Sequence, residues 1–260
     1  YFVAWNTVSV GDGSHVVTAV ARDASQMTVS TPVTVTVSNA TTSAPSRVGQ
    51  WSAVSNWPLV AIHATLLPDG RVLVWDGANE DGAAYVWNPS TNAFTAVPPP
   101  DLIFGAGHTL LADGRPFVAG GHVQPFVGIP DANVFTPSAN GGVWSAAPPM
   151  AIARRYPTAT LLPNGRVLVA SGSIDCETCI AETPEIYDPT TNTWSLLPPG
   201  ADLALPFYPH LFVLPDGRVI AAGAFQEAME TVVLDLDTGT WSMVDPTVLD
   251  AGSSAMFHPS

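Results

Sequence analysis

Short segments in which apolar and polar residues alternate make up most of the chain, and glycine and proline separate them. In "HVVTAVARDA" (15–24) and "MTVSTPVTVTVSNA" (27–40), valine or alanine alternates with threonine or serine. This period of two is typical of half-buried antiparallel strands. An apolar period of 3.6 residues hardly anywhere persists for three turns. The pattern therefore predicts an all-β protein in which helix is minor.

From residue 50 onward, one pattern recurs four times. Each copy has a turn tetrad, an apolar strand after it, a strand that ends in a second turn, and an aromatic residue followed by serine or threonine. The tetrads are PDGR (68–71), ADGR (112–115), PNGR (163–166) and PDGR (215–218), and their glycines are 44, 51 and 52 residues apart. Four strands per unit at such a period indicate a β-propeller. The small residues after the second strand ("AGG", "SGS", "AAG") favour the kelch type.

The change from the alternating pattern to the repeats divides the chain into three parts. Residues 1–39 are expected to be the C-terminal part of an Ig-like or fibronectin-like β-sandwich, residues 40–49 a linker, and residues 50–260 a propeller that is cut within its next blade at "AGSSAMF" (251–257). We expect the chain to be a segment of a longer protein, because the strand pattern is already under way at "YFVAW" and breaks off at "AMFHPS".

The net charge of the chain limits the kinds of partner that it is expected to bind. The chain has 22 acidic and 8 basic residues, no lysine, and a net charge of −14. Such a surface repels nucleic acid and anionic membranes, so neither is an expected partner. No apolar segment approaches the length of about 18 residues that a membrane-spanning helix needs.

The two cysteines, Cys176 and Cys179, form a "CETC" motif in a predicted loop. Zinc needs four ligands, and no second cysteine pair is present. A thioredoxin-like redox site would need a helix that begins at the motif. A local disulfide that braces an exported loop is the favoured interpretation, and it fits a secreted or cell-surface protein.

Blade topology sorts the remaining candidates by position. In an up-and-down blade, the tetrads lie at one end, and the segments before the first strand and after the second strand lie at the other. The second end carries Phe104 to His108, Arg154 to Tyr156, Tyr208 to His210, Asp76, His122, Ile174 and Phe225. Loops at one side of a rigid scaffold are where function usually lies, so any site is expected there.

Four segments resemble consecutive blades of the galactose oxidase and glyoxal oxidase family of copper radical oxidases. They are "IFGAGHTLLADGRPFVAGGH", "ARRYPTATLLPNGRVLVASGS", "PEIYDPTTNTWSLLPP" and "LPFYPHLFVLPDGRVIAAG". The resemblance implies a seven-bladed propeller, of which about four blades are present, followed by a C-terminal sandwich domain. It also implies a copper ion on the propeller axis and a tyrosine joined by a thioether to a cysteine. Such an enzyme oxidises a primary alcohol or aldehyde and produces hydrogen peroxide.

The resemblance implies roles for individual residues. Tyr156, in "ARRYPTAT", matches the radical tyrosine that also ligates copper. The cysteine partner corresponds to Gly105 in "FGAGH", so the sulfur is missing, and Ile174 stands where galactose oxidase has an aromatic shield. The second tyrosine and both histidine ligands would lie after Ser260.

The residues themselves leave other roles open. His122, which follows Gly-Gly at the axis end, is an additional candidate metal ligand. Phe104, His108, Arg155, Tyr208 and His210 are candidates for a face that binds substrate or a partner. His63 and His108 are read as corresponding positions before "TLL", which repeat symmetry explains. Tyr156 could also simply pack at the mouth of the central channel, and His210 could be a hydrogen-bonded residue at the start of a strand.

Two functions therefore stay open. The parent protein could be an extracellular copper radical oxidase of carbohydrate-derived primary alcohols or aldehydes. Alternatively, it could be a propeller that lacks the cofactor and binds glycan or protein. Gly105 favours the second function, and the order of the family segments favours the first.

Overall fold

The computed structural model describes residues 5–7, 10–22, 27–39, 49, 51, 53–76, 82–225, 227–249 and 252. The chain divides into two compact units, Tyr1–Asn56 and Trp57–Ser260. Most of the predicted linker, and all of the predicted fifth repeat except Gly252, lie outside the described residues. No described helix is long and apolar enough to cross a membrane.

The first unit contains two small antiparallel ribbons. They pair β1 with β4 and β2 with β3, and the strands are β1 (Gly13–Val17), β2 (Val20–Arg22), β3 (Met27–Val29) and β4 (Val33–Val37). Where the side chains of these strands are described, Val37 is the buried one. The alternating pattern thus gives strands as predicted, whereas the Ig-like sandwich stays a prediction.

The second unit contains four antiparallel sheets of four strands, one for each predicted repeat. The first has β5 (His63–Leu66), β6 (Val72–Trp75), β7 (Ala84–Asn88) and β8 (Ala93–Ala96). The second has β9 (Gly107–Leu110), β10 (Pro116–Ala119), β13 (Ala132–Ser138) and β14 (Gly141–Ala147), with the hairpin β11 (His122–Gln124) and β12 (Val127–Gly128) between β10 and β13. The third has β15 (Thr158–Leu161), β16 (Val167–Ala170), β17 (Glu185–Asp188) and β18 (Thr193–Leu196). The fourth has β19 (Leu211–Val213), β20 (Val219–Ala221), β21 (Met229–Asp235) and β22 (Thr240–Leu249), and a 3-10 turn, Pro199–Ala201, precedes it.

The tetrads form the turn between the first and second strands of each sheet, as the repeat predicts. In each turn the Asp or Asn side chain accepts a hydrogen bond from the backbone N–H of the arginine two residues later, at 3.0–3.1 Å. The glycine between them has a φ of 81° to 89°, which a residue with a Cβ adopts only at a cost. Turn chemistry therefore fixes both the identity and the spacing of the tetrad residues.

The hydrophobic core lies between successive sheets. One cluster joins Trp75 and Val86 of the first sheet to Val118 and Phe135 of the second, and two further clusters join the second sheet to the third and the third to the fourth. In the second, third and fourth sheets, the tryptophan of the fourth strand connects these layers. Its indole Nε1–H donates to a carbonyl of the chain that leaves the preceding sheet: Trp144 to Val97 at 2.7 Å, Trp194 to Pro148 at 2.7 Å and Trp241 to Ala201 at 2.8 Å.

A buried ion pair joins the segment before the third sheet to the third strand of that sheet. Arg154 and Glu185 are both fully buried, and Nη2 of Arg154 donates to Oε1 of Glu185 at 3.1 Å. Glu185 also accepts the backbone N–H groups of Ala151 and Ile152. Burial lowers the pKa of Arg154, and the charge of Glu185 opposes that shift. The pair fixes the segment just before Arg155 and Tyr156.

Candidate functional site

Three equivalent positions bring successive blades together at the axis end. Gly105, Tyr156 and Tyr208 each stand eight residues before the Asp or Asn of their tetrad, and all three have left-handed backbone, with φ of 74°, 65° and 48°. The N–H of Tyr156 donates to the carbonyl of Gly105 at 2.6 Å, and the N–H of Tyr208 donates to the carbonyl of Tyr156 at 2.9 Å. Left-handed backbone is costly for non-glycine residues and is often retained at functional sites.

These segments surround an axial cavity of about 560 Å³. The residues six positions before the tetrad Asp or Asn all line it: His63, Gly107, Thr158 and His210. Four aromatic rings also line the cavity, those of Phe104, Tyr156, Tyr208 and Phe225. A mainly apolar cavity with a few converging polar groups is typical of small-molecule sites.

Tyr156 presents its phenol to this cavity. Its ring stacks against that of Tyr208, with centroids 4.9 Å apart and planes 24° apart, and it meets Phe104 and Phe207 edge to face. Among the described residues no side chain or backbone group forms a hydrogen bond with its hydroxyl. The packing therefore fixes the ring and leaves the hydroxyl available to a ligand.

Gly105 lies directly against the Tyr156 ring. A Cβ built on Gly105 would be 2.7 Å from Cε1, the ring carbon next to the one that bears the hydroxyl, and 2.9 Å from Cδ1. The glycine therefore lets this close approach occur, and any larger residue at position 105 would have to displace the ring.

Tyr208 differs from Tyr156 although the two are equivalent by position. Its hydroxyl donates to the carbonyl of Ala106 at 3.2 Å. Burial, with a smaller contribution from Tyr156, raises the pKa of Tyr208 far above its usual range, and Arg155 opposes the shift only in part. Tyr208 thus stays a neutral, hydrogen-bonded wall residue.

The buried residues His63 and Trp75 form an aromatic group with the half-buried His108. The ring of His63 stacks on Trp75 at 4.8 Å, and its Nε2 accepts the N–H of Gly105 at 3.3 Å. His108 meets both rings edge to face, and its Nδ1 is 3.5 Å from the hydroxyl of Thr65. Burial lowers the pKa of His63 to about 3, with a contribution from His108, and lowers that of His108 to about 4. Both imidazoles are therefore neutral at pH 7.

The predicted correspondence of the two histidines is wrong by one residue. His63 pairs with Trp75, and the equivalent pair in the second sheet is Gly107 with Ala119; His108 instead pairs with Val118. Since adjacent strand residues face opposite sides, repeat symmetry does not relate the two side chains.

The other predicted residues lie around this group. His122 meets Phe104 edge to face at 4.7 Å, and its Nδ1 accepts the Nε–H of Arg155 at 3.2 Å, so this nitrogen is already used within the protein. The guanidinium of Arg155 lies 3.7 Å from the centre of the Tyr156 ring. His210 has both a cavity-lining side chain and strand-like backbone bonds to Ala222 and Gly223.

The cysteine loop lies next to Arg155. Cys176 and Cys179 are joined by a disulfide, and the described chain has no free cysteine. Ile174, at the start of this loop, donates to the carbonyl of Cys179 and accepts the N–H of Gly128. Ser173 exchanges two backbone bonds with Arg155. These hydrogen bonds fix the backbone of Ile174, and its aliphatic side chain supplies no aromatic ring at this position.

The described residues do not by themselves fit a copper ion. Tyr156 offers one oxygen donor, and position 105 offers no sulfur. Within the described part of the chain, the group of three or more His, Cys, Asp or Glu donors that converge is Asp175, Cys176 and Cys179, whose sulfurs are bonded to each other.

Sequence comparison finds the kelch motif at residues 154–200. Galactose oxidase of Gibberella zeae is 26% identical over 164 residues, which are 58% of this chain and 23% of that protein. An F-box/kelch-repeat protein of Arabidopsis thaliana is 34% identical over 117 residues, which are 38% of this chain and 30% of the relative. The chain thus spans less than a third of the length of these relatives.

Structural comparison finds a protein with a similar fold. A fungal alcohol oxidase of the AA5 family, solved in complex with copper, matches with a TM-score of 0.63 and 25% identity over 76% of this chain and 44% of its own. Together these matches support a galactose oxidase-like kelch fold for the four sheets.

Proposed function

We propose that this chain is the part of a galactose oxidase-like propeller that binds a small carbohydrate-derived alcohol or aldehyde in its axial cavity. The observation that carries the proposal is the Tyr156 phenol, which lines the cavity and has no hydrogen-bond partner among the described residues. Galactose oxidase and the fungal alcohol oxidase are named for such compounds, and both are relatives of this chain.

The cavity wall suits this class of ligand. The rings of Tyr156, Tyr208 and Phe225 can pack against the C–H face of a sugar or short polyol, as aromatic side chains do with apolar surface. The Tyr156 hydroxyl can donate to, or accept from, a ligand hydroxyl. The neutral imidazoles of His63 and His108 add polar edges without adding charge.

The secreted or cell-surface location is part of the same proposal. Disulfides persist in oxidising compartments, and Cys176 and Cys179 form one.

Titration of the protein with D-galactose, glycerol and glycolaldehyde tests the proposal, with chemical shifts of the aromatic side chains as the readout. Wild type should bind at least one of the three in the cavity, and Tyr156→Phe should bind it several-fold more weakly. Tyr187→Phe, which removes a phenol hydroxyl in the core between the second and third sheets and away from the cavity wall, is the matched control and should bind normally. Failure of all three compounds to shift cavity resonances would contradict the proposal.

Oxidation with release of hydrogen peroxide is the second candidate function, favoured by the same relatives. It needs copper ligands beyond the described residues. Copper titration of wild type and Tyr156→Phe separates the candidates, because equal copper binding by both would exclude Tyr156 as a ligand. A catalytically silent propeller that binds glycan or protein is favoured by Gly105, which has no sulfur for a thioether.

A further inference from the structure

Arg155 is a buried cation that makes little use of its donors. The residue is 9% exposed. Its guanidinium lies over Tyr156 and, at 5.0 Å, over Phe126. Its Nε–H donates to His122, whose ring must therefore be in the neutral form with its hydrogen on Nε2.

The four terminal N–H groups of Arg155 have no acceptor among the described residues, and no ion pair of the described chain includes it. Stacking on aromatic rings does not use these groups, because they lie in the plane of the guanidinium. Arg154, its neighbour, shows the contrast: its terminal nitrogens donate to the carbonyls of Ser171 and Thr183 and to Glu185.

Neither terminal nitrogen of Arg155 is among the fully enclosed polar atoms that lack a partner, so both stay accessible to a small anion. A guanidinium with free, planar donors and no counter-charge favours such a ligand. We propose that the terminal N–H groups of Arg155 bind the carboxylate of a small organic acid, beside the Tyr156 ring that also lines the axial cavity. The inference deepens the proposed function, on which it rests for the location of the ligand: the bound alcohol or aldehyde carries an acidic group, as in a hydroxy acid or a uronate.

Charge and shape favour a carboxylate over a phosphate. The fork of two terminal nitrogens matches two carboxylate oxygens. One guanidinium neutralises one negative charge, whereas a phosphate dianion needs further cations. Arg154 is already paired with Glu185, His122 is neutral, and the chain has no lysine and a net charge of −14. The remaining acidic surface disfavours more highly charged anions.

Glycolate and glycolamide are a matched pair of probes, because they have nearly the same size and differ in charge. Wild type should bind glycolate about tenfold or more tightly than glycolamide, as loss of a charge-assisted hydrogen-bonded pair predicts. Arg155→Met keeps an unbranched apolar chain over Tyr156 and should remove this preference. Arg155→Lys, which keeps the charge but not the fork, should bind glycolate with intermediate affinity.

Arg218→Met, which removes an exposed arginine in a tetrad turn, should keep the preference for glycolate. Near-UV circular dichroism of Arg155→Met verifies that the fold is intact. Any of three results would overturn the inference. Wild type could bind glycolate and glycolamide with equal affinity, Arg155→Met could keep the preference for glycolate, or inorganic phosphate could bind more tightly than glycolate. If D-galactose or glycerol binds but glycolate binds no more tightly than glycolamide, the carboxylate site is wrong and the proposed function stands. If none of the compounds binds in the cavity, both proposals are wrong.

Discussion

At the scale of single residues, the site depends on how closely the backbone of Gly105 approaches the Tyr156 ring as much as on the chemistry of the side chains. Gly105 and Tyr156 are both left-handed, and the glycine lies where any side chain would meet the phenol ring. This contact makes position 105 more demanding than an ordinary turn glycine.

Gly105→Ala should therefore lower the free energy of unfolding by about 2–4 kcal/mol, since left-handed backbone costs alanine about 1 kcal/mol and overpacking adds about 1–3 kcal/mol. Gly217→Ala is the control, because it has a φ of 89° but no atom within 4 Å of the added Cβ. It should lose only the backbone contribution. Urea unfolding measures both variants, and equal losses would show that the ring is not the obstacle.

The buried histidines make stability depend on pH. The imidazoles of His63 and His108 gain protons near pH 6.5 in the unfolded chain but only near pH 3 and pH 4 in the folded protein. Between these values the unfolded state binds more protons, so the free energy of unfolding falls as pH falls from 6.5 towards 4. The slope is up to about 1.4 kcal/mol per pH unit for each histidine.

Replacing both residues, His63→Gln and His108→Asn, should flatten the stability curve between pH 6.5 and pH 5 and leave it parallel to wild type above pH 7. Urea unfolding at a series of pH values provides the measurement. A variant curve as steep as that of wild type would mean that other groups cause the pH dependence.

Blade topology placed many of the residues that line the cavity at one end of the sheets, but it did not predict their individual contacts. Phe104, Tyr156 and Tyr208 follow from blade topology and resemblance. The place of His63 in the cavity wall was not predicted, because its equivalence was counted from "TLL" rather than from the tetrad. Counting six residues back from each tetrad Asp or Asn finds the row that lines the cavity. The stacking of Arg155 on Tyr156 depends on side-chain conformations that no sequence pattern contains.

At the scale of elements, the repeated strands follow directly from their turns. The tetrads end the first strand and begin the second, and all four sheets have the predicted order. The repeat pattern did not predict the hairpin of β11 and β12. Its two short strands lack an alternating pattern and pair with an irregular register, so local sequence could not distinguish them from a loop.

The tryptophans of the fourth strands connect each sheet to the one before it. Trp194→Phe removes the N–H that donates to the carbonyl of Pro148. Trp87→Phe is a matched control, because the Trp87 indole donates to the exposed side chain of Asn92. We expect Trp194→Phe to lose about 1–2 kcal/mol more than Trp87→Phe, since the carbonyl between the sheets is left without a donor. Equal losses in urea unfolding would mean that ring packing alone connects the sheets.

At the scale of the whole molecule, the net negative charge affects the stability of the folded chain. A net charge of −14 in a chain without lysine produces self-repulsion in the folded state. The exposed pairs of Arg115 with Asp113 and of Arg218 with Asp216 offset little of it, because water screens them.

Raising NaCl from about 20 to about 200 mM should therefore raise the midpoint of thermal unfolding, since the shorter screening length weakens repulsion more than it weakens exposed pairs. A variant with Glu227→Gln and Glu230→Gln, both exposed, should respond less to the salt. A midpoint that falls with salt would show that exposed ion pairs dominate instead.

The all-β class and the four repeats could be predicted from the sequence because periodicity, turn chemistry and strand order are local properties. The division of the chain after Asn56 could not, because it depends on which distant segments pack together.

The bonds from Gly105 to Tyr156 to Tyr208 have a practical consequence for protein engineering. These backbone hydrogen bonds link the inner ends of successive blades, and the four tetrads lie at the far end of the inner strands. The differences in repeat length therefore lie elsewhere, in loops such as the one that carries the cysteines. Such loops could be exchanged between related blades to change ligand preference while the axial aromatic rings stay where they are.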